Sequence, residues 1–320
     1  MVGVDLLVLD GASAAAVGAT IDMVSAANRI LGEPMFELRI IAAEPTIRLR
    51  GDLQAIAQPL HEVTPREAII LPGLGTATPQ EIHTRLASPD IATAADWLNL
   101  PGVAGMQIGA SCTAVFVLAA AGLLTGRRCV TTWWLGAELG RVAADAEVVI
   151  DAMVVRDGPI WTAGASFAHI DLMLAVLRHF GGTTLTEELA SRLLIDQRSS
   201  QATFLIPSYL AAHDDTVARL EAHVRAHLPQ SHTLAELATT AGVSPRTLTR
   251  MTDRALGLSP LQLVARIRLQ HAVHLLRTTA MSLEQITTAV GLSDPASLHR
   301  LVKKHTGRSP GSLRPSATKT

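Results

Sequence analysis

Over the first two thirds of the chain, short apolar runs alternate with longer stretches in which apolar residues recur at helical spacing. Residues 2–9, 36–42, 68–71 and 106–109 are apolar and bounded by Gly, Pro or Asp, the pattern of strands buried on both faces. Residues 14–30, 79–86 and 91–98 follow the helical period. This alternation predicts an α/β fold, a three-layer arrangement with helices on both faces of a parallel sheet. Residues 153–156 and 160–162, joined at Asp157-Gly158-Pro159, predict a hairpin near the sheet edge, and 169–180 and 185–196 predict two more helices. Pro207 and the polar cluster His213-Asp214-Asp215 place a boundary within 199–215, beyond which only helices and short turns are expected. The predicted organisation is an α/β domain over 1–198, a linker over 199–215 and an all-α domain over 216–320.

Composition supports two domains with sizeable cores: 320 residues, of which 48% are hydrophobic. The net charge of −1 conceals an asymmetry. Residues 1–215 hold 13 Lys and Arg against 23 Asp and Glu, a balance of −10; residues 216–320 hold 14 against 5, a balance of +9. A basic module suited to a polyanion is joined to an acidic module with another task. The four Trp, five Phe and single Tyr all precede residue 216, which argues against base stacking on single strands or RNA by the basic module. Cys112 and Cys129 are too few for a disulfide framework or a Cys-rich zinc site, and nothing in the sequence calls for a metal or another cofactor. The first residues lack a basic segment before their apolar run, so no secretory signal is expected. Residues 97–126 carry no charge, but Pro101, Gly102, Gly105, Gly109 and Ser111 interrupt them; strand, tight turn and helix fit better than a membrane span. The expected location is the cytoplasm, with no membrane partner.

The last hundred residues contain an internal repeat. Gly257-Leu258-Ser259-Pro260 recurs as Gly307-Arg308-Ser309-Pro310, Leu248-Thr249-Arg250 as Leu298-His299-Arg300, and Ala241-Gly242-Val243-Ser244 as Val290-Gly291-Leu292-Ser293. Within the first unit, Thr233 and Glu236 form a capping box, Gly242 permits a sharp turn, Ser244 caps a second helix and Pro245 opens it. Leu248 and Met251 point inward, leaving Arg246, Thr247, Thr249 and Arg250 outward. In the second unit Leu298 and Leu301 face in, and Ser297, His299, Arg300 and Lys303 face out. Each unit reads as a helix-turn-helix, and these eight polar residues are the expected contacts to double-stranded DNA. The seventeen residues 261–277 between the units form about 25 Å of helix. Such a rod can carry two reading helices to segments of major groove roughly 34 Å apart.

These motifs, together with Leu234-Ala235-Glu236-Leu237-Ala238, resemble the double helix-turn-helix domain of AraC/XylS-type transcription regulators over the whole of 216–320. Leu292, Leu298 and Val302 stand where that family usually has Phe, a change that keeps the packing apolar.

The first domain holds one chemistry-like constellation. Gly109-Ala110-Ser111-Cys112-Thr113-Ala114 places a cysteine between a strand and the apolar stretch 115–124, with small residues two positions either side, as a nucleophile elbow requires. A helix N-terminus there is expected to lower the Cys112 pKa. Leu71-Pro72-Gly73-Leu74-Gly75 follows another strand and is expected to offer backbone N–H groups to an oxyanion or carboxylate. These stretches, with Ile160-Trp161-Thr162-Ala163-Gly164-Ala165 and His169-Ile170-Asp171-Leu172, resemble the class I glutamine-amidotransferase-like superfamily in its PfpI-type branch, which implies a flavodoxin-like fold. Joined to the AraC-type module, the chain resembles GlxA-type transcriptional regulators, which puts the nucleophile position on Cys112. In the enzymes a His follows the elbow helix, and many GlxA-type regulators keep it in Thr-Thr-His-Trp; here the stretch is Thr131-Thr132-Trp133-Trp134. Gly11-Ala12-Ser13-Ala14 also lacks the acid those enzymes carry after the first strand. No catalytic residue is therefore assigned, and Gly73, Leu74, Cys112, Thr113 and Trp133 are expected to line a reused ligand pocket. His169 reads as a helix-end residue rather than a ligand, and Cys129 as packing.

The expected function is sequence-specific transcription regulation through DNA, without enzymatic turnover. The resemblance implies a small-molecule effector of amino-acid-like or quaternary-amine type, with a homodimer and contact with RNA polymerase as further expectations. Two rivals stand beside it: a cysteine-dependent hydrolase or deglycase tethered to DNA, and an architectural DNA binder that answers to no ligand.

Overall fold

A computed structural model describes residues 1–196, 198, 200, 201, 204 and 214–314. The chain divides into two compact units, Met1–Arg198 and Ser199–Thr320. The expected linker over 199–215, with Pro207, lies largely outside the described residues.

In the first unit, β1 (Val2–Leu7), β2 (Phe36–Ala42), β6 (Ala68–Leu71), β7 (Gln107–Ser111), β10 (Val154–Asp157), β11 (Ile160–Ala163) and the short β5 (Gln58–Pro59) form a seven-stranded sheet. Its order is β10-β11-β7-β6-β1-β2-β5. All pairings are parallel except the edge hairpin β10–β11. The pleat sorts the strand residues into two cores. Val4, Leu6, Ala68 and Ile70 enter one, packed with helices α1 (Ala14–Leu31) and α6 (Ala168–Arg192). Leu7, Ile69 and Leu71 enter the other, beneath α2 (Pro79–Leu86), α3 (Pro89–Leu98), α4 (Val115–Ala120) and α5 (Gly136–Val142). The result is the expected three-layer fold.

Some boundaries differ from the sequence expectation. β7 runs to Ser111 rather than residue 109, because Ala110 and Ser111 pair with Thr162 and Ala163 of β11. The two helices expected over 169–196 are present, separated by the non-helical Gly182 with φ of 81°, and the second ends at Arg192 rather than residue 196. Small ladders escape the apolar pattern: β3 (Thr46–Arg48) with β4 (Gln54–Ile56), and β8 (Arg128–Cys129) with β9 (Glu147–Val148).

The second unit is helical: α7 (Asp215–Ala226), α8 (Leu234–Ala241), α9 (Pro245–Leu256), α10 (Pro260–Thr278), α11 (Leu283–Ala289) and α12 (Pro295–Thr306). The Thr233–Glu236 box and the Ser244 cap form as expected, and other caps join them. Thr233 with Glu236, Ser259 with Gln262 and Ser282 with Gln285 close capping boxes, while Ser244 and Asp294 cap α9 and α12. Leu237, Leu248, Leu256, Leu263, Ile267, Ile286, Leu298 and Val302 are buried. Met251 and Leu301, expected inward, are only half-buried; Thr252 and Val302 take the deeper positions one residue on. The connecting helix α10 has 19 residues, about 28 Å of rod.

Candidate functional site

The second helix of the first helix-turn-helix unit is α9. A groove of about 710 Å³ runs along it, lined by Arg246, Thr247, Thr249, Arg250 and Asp253 with Ser259 and Gln262 from the start of α10. Four of the residues singled out from sequence are thus brought to one concavity. Thr249 turns its hydroxyl back to the carbonyl of Pro245, 2.9 Å away, and Thr247 pairs with the hydroxyl of Ser244 at 2.8 Å. Arg246 and Arg250 are exposed and have no hydrogen bond or ion pair among the described residues, so their donors remain available to a partner.

On α12, His299, Arg300 and Lys303 are exposed, whereas Ser297 is half-buried and already engaged. The Asp294 carboxylate accepts from the Ser297 backbone N–H at 2.7 Å and from the hydroxyls of Ser293 and Ser297, each at 2.8 Å. These donors hold its pKa down at about 2. The Arg300 guanidinium donates to the Ser297 hydroxyl at 2.7 Å. The role of Asp294 beyond capping was not read from the sequence, although its place three residues before Ser297 was the available signal.

In the first unit, Cys112 occupies the expected sharp turn. Its φ is +54°, a left-handed conformation unusual for a side chain with a Cβ. Its N–H donates to the carbonyl of Gly164 at 2.8 Å, and its own carbonyl accepts from the Thr131 hydroxyl at 2.7 Å. Gly73 lies against it so closely that an added Cβ would sit 2.9 Å from the Cys112 Cβ. The Leu74 N–H donates to the Thr113 hydroxyl at 3.0 Å. Gly73, Leu74, Cys112 and Thr113, expected to line a ligand pocket, therefore meet, and all four are buried. Trp133 is buried against Trp134, edge to face at 5.2 Å, two residues beyond Thr131.

Two expectations about this turn are corrected. The Leu74 N–H is consumed by Thr113 and is not on offer to an oxyanion. The Cys112 thiol is pushed up rather than down. Burial is the dominant cause, outweighing contacts with Ser166, at 3.9 Å, and Thr113 and the more distant charge of Arg50. The regular helix begins only at Val115, after a short tight turn over Cys112–Ala114, so its N-terminus gives Cys112 little help. Burial raises Cys129 to about 11, as suits a packing residue.

His169 does more than end a helix. It is buried and bridges Thr20 of α1, at 2.7 Å, and Ser111 of β7, at 2.8 Å. Thr20 spends its own proton on the carbonyl of Ala16. His169 must therefore donate to Thr20 through Nε2–H and accept from the Ser111 hydroxyl at Nδ1. Burial lowers its pKa to about 4, which keeps this tautomer neutral. The imidazole next to the elbow thus serves Ser111 rather than the Cys112 sulfur. No sequence spacing announces a bridge between residues 149 and 58 positions apart.

A three-layer α/β unit with a cysteine elbow, followed by paired helix-turn-helix units, is the architecture that comparison with known proteins also returns. The DJ-1/PfpI family matches residues 14–179 and a helix-turn-helix domain matches residues 237–316. The first match covers more than half of the chain, which belongs to the DJ-1/PfpI family and carries a helix-turn-helix domain. The chain is similar to the HTH-type transcriptional regulator GlxA of Rhizobium meliloti (strain 1021), 33% identical over 66% of this chain and 65% of that protein. It is also similar to the HTH-type transcriptional regulator CdhR of Pseudomonas aeruginosa, 26% identical over 67% of this chain and 64% of that protein. Both alignments span just under two thirds of those relatives. Among solved structures, an AraC family transcriptional regulator from Pseudomonas putida covers 60% of this chain and 100% of its own, with a TM-score of 0.51 and 20% identity. That likeness speaks for the fold. No helix among the described residues is long and apolar enough to cross a membrane.

Proposed function

We propose that this chain is a sequence-specific transcription regulator that binds double-stranded DNA through α9 and α12 and answers to a small-molecule effector held by its first unit. The observation that carries the reading is the pair of capped helix-turn-helix units whose outward faces present arginine. Arg246 and Arg250 stand in one groove with their donors unspent. Arginine in that state can grip guanine edges or phosphates at once. Two such faces on a rod of about 28 Å suit successive turns of the major groove.

The first unit acts by binding, not by turnover. A cysteine nucleophile needs an adjacent base, and neither an imidazole nor a carboxylate is hydrogen-bonded to Cys112 among the described residues. An effector taken up at the elbow turn, where Gly73, Leu74, Cys112, Thr113 and Trp133 are buried and must part to admit it, shifts the population of molecules competent for DNA. Amino-acid-like and quaternary-amine compounds are the first to titrate. The proposed working form is a cytoplasmic homodimer associated through the first unit, which doubles the DNA contacts; its target for regulation is RNA polymerase at a promoter.

The test is binding of the full chain to duplex DNA at several salt concentrations, with and without effector candidates. The reading predicts a steep fall in affinity with salt through counterion release. Arg250→Ala should cost about 1–3 kcal/mol, concentrated at one base position. A flat salt response contradicts it.

A further inference from the structure

We propose that Ser297 is a positioning residue: anchored by Asp294, it holds the Arg300 guanidinium in one orientation before DNA arrives, so the second reading helix discriminates bases more sharply at that contact than the first. This rests on the proposed reading of DNA by Arg300 and extends it.

The chain of donors has one direction. Ser297 gives its hydroxyl proton to Asp294 Oδ2 at 2.8 Å, which leaves its oxygen lone pairs to accept from Arg300 Nη2 at 2.7 Å. A carboxylate at one end and a guanidinium at the other polarise the hydroxyl between them, which strengthens both bonds. Only one of the five guanidinium donors is used, so the others stay free for a base edge. The Asp294 backbone cap is separate: Oδ1 accepts from the Ser297 N–H. Removing the Ser297 hydroxyl therefore leaves the helix start intact.

The internal repeat supplies the comparison. At an offset of 50, Asp294, Ser297 and Arg300 correspond to Ser244, Thr247 and Arg250. There the cap is a neutral hydroxyl, bonded to Thr247 at 2.8 Å, and Arg250 has no partner among the described residues. The same three positions thus hold the arginine in one unit and release it in the other. A free arginine must lose rotamer freedom when it docks; a held one has lost it already.

The experiment is selection of bound duplexes from a random library by the full chain, followed by affinities for the best site and its single-base variants. Wild type, Arg300→Ala, Ser297→Ala, Ser297→Thr and Asp294→Asn are compared. Arg300→Ala should erase preference at one position of the site. Ser297→Ala should relax that same position about two- to ten-fold, the equivalent of ordering one long side chain. It should leave the other positions and the salt slope unchanged. Ser297→Thr, which keeps the hydroxyl, should restore the preference, and Asp294→Asn, which keeps a capping oxygen without the charge, should lose it. A sharp preference surviving in Ser297→Ala, or a loss spread evenly over all positions, overturns the positioning role while leaving Arg300 as a reader. A preference untouched by Arg300→Ala overturns the reading role and the positioning role together.

Discussion

Ser111 donates its hydroxyl to Nδ1 of His169 at 2.8 Å, directly beside the elbow cysteine, and the buried imidazole passes its own proton to Thr20. Burial keeps His169 neutral, because its charged form would lose water without gaining a counter-ion. Its pKa of about 4 in the folded chain lies below the ordinary value of 6.5. As pH falls through 6.5 the unfolded chain takes the proton first, so stability drops between pH 6.5 and 4 and then levels off. The contribution is about 3 kcal/mol. Denaturant unfolding of wild type and His169→Gln at pH 7 and pH 4 should show wild type losing more stability by about that amount. Equal losses in the two proteins contradict a buried, neutral His169.

The two turn glycines of the repeat should not be equivalent. Gly242 and Gly291 both have φ of +69°. An added Cβ at Gly242 meets nothing within 4 Å, whereas at Gly291 it would sit 2.4 Å from the carbonyl oxygen of Leu228. Gly242→Ala should cost about 1 kcal/mol, the strain of the left-handed backbone alone. Gly291→Ala adds a backbone clash and should cost more than about 3 kcal/mol. Thermal melts of the two variants check the order, and equal melting temperatures count against it.

Cys112 should behave as an inert thiol. It is 4% exposed and its pKa is raised by burial, and Cys129 is fully buried. Neither should react with a thiol-specific reagent at pH 8 over the time in which the unfolded chain reacts completely. Cys112→Ala should leave DNA affinity unchanged. Rapid modification of Cys112 in the folded protein, or turnover of amide, ester or glyoxal compounds lost in Cys112→Ala, favours the enzyme reading instead.

Thr113 ties the loop after β6 to the elbow. Thr113→Val keeps the shape but leaves the buried Leu74 N–H without an acceptor, at a cost of about 1–3 kcal/mol. The measurement is unfolding of the first unit in denaturant. A change below a few tenths of a kcal/mol shows that the bond contributes nothing.

The architecture was legible because its signals are local and redundant. The run Ala68–Leu71 is apolar on every residue and buried on every residue, and the strand could be read from four letters. The helix-turn-helix units announce themselves through caps and turn glycines that sit where the backbone needs them. Strands of two or three residues with polar ends, such as Thr46–Arg48, leave no period to detect. At the candidate site, the sequence brings Gly73 and Cys112 into view, but it does not show which donors are already spent. Leu74 and Thr113 are 39 positions apart, and only the fold reveals that one satisfies the other. The elevated Cys112 thiol has the same origin: burial depends on the surrounding layers and outweighs the local effect of a following helix.

The proposed function requires the two duplicated units to read one DNA duplex together. Selection of bound sequences from a random duplex library by the 320-residue chain tests this. The account predicts two short conserved blocks about 10 base pairs apart, one weakened by Arg250→Ala and the other by Arg300→Ala. Recovery of no enriched sequence, or of a single block sensitive to only one of these arginines, contradicts it.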